Sequence, residues 1–218
     1  HTKEVIAEAC GPATFEGTAA ALAADPKTAE HFGALLVDDH DRRNPSLLEQ
    51  MHDLGLLAAI IPEFAPCTGR VQHDLYHVFT VDQHQLYAVA RLKELSRGDL
   101  AAKFPVATRA LQEIGERLPL YLGTLLHDVG KPHGKGHSEK GAKIAQVVGQ
   151  RLRVGDGDLA RTEWLVKQHL VLAHLSQRRD LNDTAMIGKL ADQLGSVERL
   201  RELYLLTLAD MSMVSPDN

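Results

Sequence analysis

An all-α fold is predicted by three observations. Nearly every periodic segment of the 218-residue chain repeats its apolar residues at helical spacing, Ala and Leu dominate, and aromatics make up only 5%. That composition disfavours a β-sandwich or barrel. With 44% hydrophobic and 24% charged residues the chain can bury a sizeable core, so dominant disorder is excluded. The length admits one large domain or two small ones.

The elements follow in order. Residues 13–24 are Ala-rich, and Leu47, Leu48, Met51, Leu54 and Leu57 step at three and four through the next helix, which Pro62 and Pro66 end. Val71 to Val81, with Tyr76, Val78 and Phe79, reads as briefly extended. Val81, Ala88, Leu92 and Leu95 share one helical face with His84 at its edge, and a loop is expected from Ser96 to Pro105. Leu118 to Val129 is apolar nearly all round, which marks a buried central helix, and Gly130 and Pro132 stop it. Ser138 offers an N-cap for a helix through Ile144, Val148 and Leu152. Three more helices are expected, at about 159–175, 184–195 and 197–213.

Charge and cysteine content narrow the function classes. The balance of 24 basic and 29 acidic residues gives a net charge of −5 with no basic run, which argues against a nucleic-acid-wrapping surface. Cys10 and Cys67 stand apart, without the spacing of a zinc finger or a disulfide framework, so a reducing cytoplasm fits best. No apolar stretch reaches the roughly 18 residues of a membrane span, and the opening residues show no charged-then-apolar pattern, so neither a span nor a leader is expected in this sequence. Its first residue is His1 and not Met, so a fragment of a longer protein is expected.

Histidine is the anomaly: of 12 in the chain, eight lie between His73 and His174, a local enrichment that raises the prospect of a metal site. His127 and Asp128 sit side by side within the helix expected to be buried, and Asp210 interrupts Leu203, Leu205, Leu206, Leu208, Ala209 and Met211. An ionised carboxylate in such a place costs several kcal/mol, on the order of ~3–5, unless a cation or hydrogen bonds meet it. Two imidazoles, of His84 and His127, and two carboxylates, of Asp128 and Asp210, come from three helices and could converge on one divalent ion, with water in the open positions.

The order His84, then His127-Asp128, then Asp210 resembles the HD-domain metal-dependent phosphohydrolases. Longer strings carry the likeness further: Pro62-Glu63-Phe64, Val71 through His77, Thr80 through His84, Leu126 through Lys131, His137-Ser138-Glu139, and Ala173 through Asp180. They run in the order found in the uridylyl-removing HD domain of bacterial PII uridylyltransferase/uridylyl-removing enzymes, over roughly residues 45–215. The resemblance implies an HD helical bundle spanning 66–218, with 1–65 a helical segment linking it to an absent nucleotidyltransferase domain. It implies one or two divalent ions, Mn²⁺ favoured over Fe²⁺, Co²⁺, Zn²⁺ or Mg²⁺, held by His84, His127, Asp128 and Asp210. His137 and His169 would hold a second ion, with Asp128 bridging. The implied activity removes UMP from uridylylated PII, a signalling protein of nitrogen regulation. Lys131, Arg178 and Arg179 would then bind substrate oxygens, with Lys131 and Asp128 catalytic and His77 lining the pocket. No role is carried onto His174.

Plainer readings bound these expectations. His52-Asp53 is also a His-Asp pair, but it lacks the following Lys and the spacing to further ligands, so it reads as structural or surface. His73, His133 and His174 read as surface residues or as neighbours of the ligands. Asp156-Gly157-Asp158 is the nearest string to a transferase metal pair, yet no Gly-Ser turn precedes it, so it reads as a turn and the chain is expected to hydrolyse and not to transfer. Two rival functions are hydrolysis of a small nucleotide, such as an alarmone or cyclic nucleotide, and a non-catalytic regulatory module. Two buried acids beside histidines speak against the module.

Overall fold

The structure is a computed structural model that describes residues 21–22, 25–71, 79–177 and 183–212. Among the described residues there are 11 α-helices and no strand, so the chain is all-α. In chain order they are α1 (Pro26–Val37), α2 (Leu47–Asp53), α3 (Leu56–Ile60), α4 (Val81–Arg97), α5 (Pro105–Gln112), α6 (Leu118–Leu126), α7 (His137–Arg151), α8 (Asp156–Gln168), α9 (Leu170–Ser176), α10 (Thr184–Leu194) and α11 (Val197–Met211). Two 3₁₀ turns, Pro62–Cys67 and Lys131–His133, complete the set.

Helix α6 is the hub. Every residue from Pro119 to Leu126 is buried, as expected for a helix apolar on all sides, and α1, α4, α8 and α11 pack around it. The N-terminal stretch shares this core: Phe32, Leu36, Leu57 and Phe64 belong to the same buried cluster as Leu92, Tyr121 and Leu206. Glu63, in the first 3₁₀ turn, ties that stretch to the far end of α7 through two 2.6 Å bonds from the Arg151 guanidinium.

Close approach of α6, α7 and α8 depends on glycine. A Cβ at Gly130 would stand 1.9 Å from the His137 carbonyl oxygen, and one at Gly149 would stand 2.3 Å from a Leu159 methyl. Gly130 therefore lets the turn after α6 touch the first residue of α7, which is His137.

Local departures from the sequence reading have physical causes. The helix expected through Leu57 breaks at Gly55, whose φ of 77° is left-handed. The central helix stops at Leu126, three residues short of Val129, and the helix expected over 159–175 is interrupted at His169. At both stops a histidine ring donates its Nδ1–H to the backbone carbonyl three residues back, His127 to Thr124 and His169 to Val166, each at 2.7 Å. Ser138 is not the N-cap of α7, since Gly136 with φ 71° precedes a helix that starts at His137. Asp156-Gly157-Asp158 is the first turn of α8 and not a free turn, its acids facing the positive end of the helix dipole. Most of the Ala-rich 13–24 stretch and of the expected extended segment near 71–81 lies outside the described residues. Among the described residues no helix is long and apolar enough to cross a membrane.

Two outcomes follow. Gly130→Ala should lower stability by about 1–3 kcal/mol and Tm by about 2–12 °C, because backbone must move, whereas Gly157→Ala, with open space around its Cβ, should leave Tm unchanged or raised. Equal Tm values for the two variants in thermal circular dichroism would contradict this packing. Glu63 is held below the usual carboxylate range by its Arg151 hydrogen bonds, against opposing burial. Its stabilisation is thus fully present above the unfolded value of about 4.3 and lost as pH falls through the depressed folded value. The stability difference between wild type and Glu63→Gln, about 1 kcal/mol at pH 7 for a pair about a quarter exposed, should vanish in acid denaturation series.

Candidate metal centre

Five places in the fold deliver the polar side chains. His84 lies one turn into α4 on the face carrying Val81, Ala88 and Leu92, all buried. His127 and Asp128 follow the end of α6, and Asp210 sits in the last turn of α11, a helix packed on both α4 and α6. His137 opens α7 and His169 joins α8 to α9.

The side chains form two groups of possible ligand atoms, His84, His127 and Asp210 in one and Asp128, His137 and His169 in the other, with all atoms of a group within 4.8 Å of one another. In the first, His84 Nε2 is 2.8 Å from Asp210 Oδ1 and 3.2 Å from His127 Nε2. His127 Nε2 is 3.5 Å from that same Asp210 oxygen. In the second, His137 Nε2 and His169 Nε2 are each 3.6 Å from Asp128 Oδ1. The other Asp128 oxygen, Oδ2, faces the first group, 3.3 Å from His127 Nε2 and 3.8 Å from His84 Nε2. One carboxylate thus presents an oxygen to each group.

The donor set fits divalent ions. Ligands about 2.1 Å from an ion stand about 3.0–3.4 Å apart in octahedral or tetrahedral arrangement, close to the spacings here. The Nδ1–H bonds of His127 and His169 to backbone carbonyls fix the tautomer that leaves Nε2 as a lone pair facing the group. The Nε2 atoms of His137 and His169 are buried and have no hydrogen-bond partner, an expensive state unless an ion or a donor meets them.

Electrostatics show how strongly the carboxylates demand positive charge. Burial opposes ionisation of Asp128 and Asp210, yet the neighbouring His127 above all holds both well below the usual carboxylate range, with Lys131 also acting on Asp128 and His84 on Asp210. Burial would depress His127, but those two acids push it up to about 10. His169, with burial and then His127 against its charge, falls to about 4. An ion entering the first group therefore displaces a proton.

Lys131 brings its Nζ to 2.5 Å from Asp128 Oδ2 at the edge of the centre, with 13% of its side chain exposed. His133 and His174 are exposed. His73, His77, Arg178 and Arg179 lie outside the described residues. Of the second His-Asp pair, Asp53 is exposed, whereas His52 turns inward and places Nε2 2.8 Å from Asp82 Oδ2. Sequence reasoning gave no role to Asp82. Its one signal is an acid in the first turn of the helix that carries a buried histidine.

Residues 107–196 match the HD domain family. The bifunctional uridylyltransferase/uridylyl-removing enzyme of Gluconobacter oxydans is 38% identical over 204 residues, 92% of this chain and 22% of the relative. The enzymes of the same name from Pseudomonas savastanoi pv. phaseolicola and Azospirillum brasilense are 38% identical over 169 residues and 35% over 196, covering 78% and 89% of this chain and 19% and 21% of theirs. The chain thus spans about a fifth of the length of the curated relatives it matches. The all-α chain thus matches the HD domain family over residues 107–196 and, over most of its length, is similar to the HD region of bifunctional uridylyltransferase/uridylyl-removing enzymes.

Proposed function

We propose that this chain hydrolyses a phosphodiester at a two-ion centre and that its substrate is uridylylated PII, from which it releases UMP. The observation that carries the reading is Asp128, whose two oxygens face separate groups completed by His84, His127 and Asp210 on one side and by His137 and His169 on the other. The names of the relatives support the uridylyl-removing specificity. On this reading residues 1–65 are the link to a nucleotidyltransferase domain and 66–218 the hydrolase. A reducing cytoplasm suits the buried free thiol of Cys67.

Divalent ions in such a site lower the pKa of water and offset negative charge on the phosphodiester. The mixed nitrogen and oxygen donors suit Mn²⁺, the ion we favour, as well as Fe²⁺, Co²⁺, Zn²⁺ or Mg²⁺. The protein's own part is positioning. Two backbone carbonyls orient the rings of His127 and His169, and the buried walls of α6 and α8 exclude bulk water and strengthen every charge interaction inside. Lys131, hydrogen-bonded to Asp128, can turn its ammonium to a non-bridging phosphate oxygen and hold charge that grows there. The departing tyrosine has a pKa of about 10, which makes it a far better leaving group than an alkoxide.

Asp128→Ala should abolish Mn²⁺-dependent hydrolysis of both bis-p-nitrophenyl phosphate and uridylylated PII while the helical circular dichroism persists, because the substitution removes a ligand of both groups together with a buried charge. Full turnover in this variant would place the chemistry elsewhere. Lys131→Ala should lower kcat by about 10²-fold on every phosphodiester, as loss of one charge-stabilising donor does. Arg178→Ala and Arg179→Ala should instead raise KM for uridylylated PII and leave bis-p-nitrophenyl phosphate nearly unaffected. Equal losses on both substrates would refute a protein-docking role for the arginines. Turnover of a small nucleotide but not of uridylylated PII would replace the substrate and keep the chemistry.

A further inference from the structure

We infer that His52 is a positioning residue for the first ion site, acting through Asp82 on the helix that carries His84. The inference rests on the two-ion reading above. His52 belongs to α2 and Asp82 to the first turn of α4, 30 residues apart in sequence, and their side chains meet at 2.8 Å with only 11% and 6% of each exposed. Asp82 is two residues before His84. On one helical turn a displacement of the first residue's anchor is passed almost undiminished to the third, because the peptide units between them are rigid and hydrogen-bonded.

The pair is an anchor and not a surface contact. Asp82 is 4% exposed, and its Oδ2 meets His52 Nε2 inside the bundle, where a carboxylate without a partner would be costly. The acid also faces the positive end of α4. His52 in turn stands edge-on to Phe64, ring centroids 5.6 Å apart, and Phe64 is fully buried in the first 3₁₀ turn. Two aromatic rings and a carboxylate thus lock the start of α4 to α2 and to that turn. What this fixes is the reach of His84 toward its partners on α11 and α6, at 2.8 and 3.2 Å. The second group, Asp128, His137 and His169, contains no side chain from α2 or α4. Loss of a direct hydrogen-bond partner of an ion-binding side chain costs about 10- to 100-fold in ion affinity; His52 acts one residue further out, through Asp82, so the lower end of that range, about 10-fold, is expected, on one site only.

The test is equilibrium Mn²⁺ binding, followed by electron paramagnetic resonance and calorimetry, in two backgrounds. His169→Ala leaves the first site, and Asp210→Ala leaves the second. Adding His52→Ala should weaken Mn²⁺ by about 10-fold in the His169→Ala background and by less than about twofold in the Asp210→Ala background. His52→Gln, whose amide nitrogen can occupy the place of Nε2, should restore affinity in the first background. Glu63→Gln loosens the same 3₁₀ turn without touching Asp82, so it should leave the ratio of the two affinities unchanged. Equal weakening in both backgrounds, no weakening in the first, failure of His52→Gln to rescue, or an identical effect of Glu63→Gln would each overturn the positioning role. Absence of saturable Mn²⁺ binding by the wild-type chain is a different result, which would overturn the two-ion reading itself and this inference with it.

Discussion

The structure turns on two carboxylates that an apolar bundle cannot hold alone. Asp128 follows a helix in which every residue from Pro119 to Leu126 is buried, and Asp210 sits on a helix that buries Leu203, Leu205, Leu206 and Ala209. Neither can ionise there without compensation of several kcal/mol, on the order of ~3–5. Four histidines and Lys131 answer that demand, and their placement dictates which helices must end, and where. The same demand pushes the His127 imidazole up to about 10, so protons and divalent ions compete for one set of lone pairs.

Helix ends are the device that brings the donors together. His127 and His169 both stand where a helix stops, and each ring satisfies a backbone carbonyl three residues back that the helix would otherwise leave unpaired. That single bond caps the helix, selects the tautomer and aims Nε2. His137 arrives from the opposite direction, at the start of α7, and does so only because Gly130 lets two backbones meet.

Much of this is legible in the sequence for identifiable reasons. The all-α class follows from the 3.6-residue period of long segments, and the buried hub follows from Leu118 onward being apolar on every side. His84, His127, Asp128 and Asp210 stand out because charged or polar groups interrupt apolar stripes, a local signal. Helix ends at His127 and His169 are not legible, since a ring bonding to a carbonyl leaves the apolar period of the segment intact. Nor is the break at Gly55 or the glycine start of α7, where Ser138 is a sound N-cap by local chemistry but tertiary packing of Gly130 on His137 sets the boundary. The His52–Asp82 bond spans 30 residues and joins two helices, a pairing that no local pattern encodes.

The central claim is that Asp128 is shared by two ions. Anomalous diffraction from crystals grown with Mn²⁺ tests it most directly. The account predicts two peaks about 3.5–4 Å apart, one among His84, His127 and Asp210, the other between His137 and His169, each in contact with one Asp128 oxygen. A single peak away from Asp128, or none at either group under saturating Mn²⁺, would contradict it.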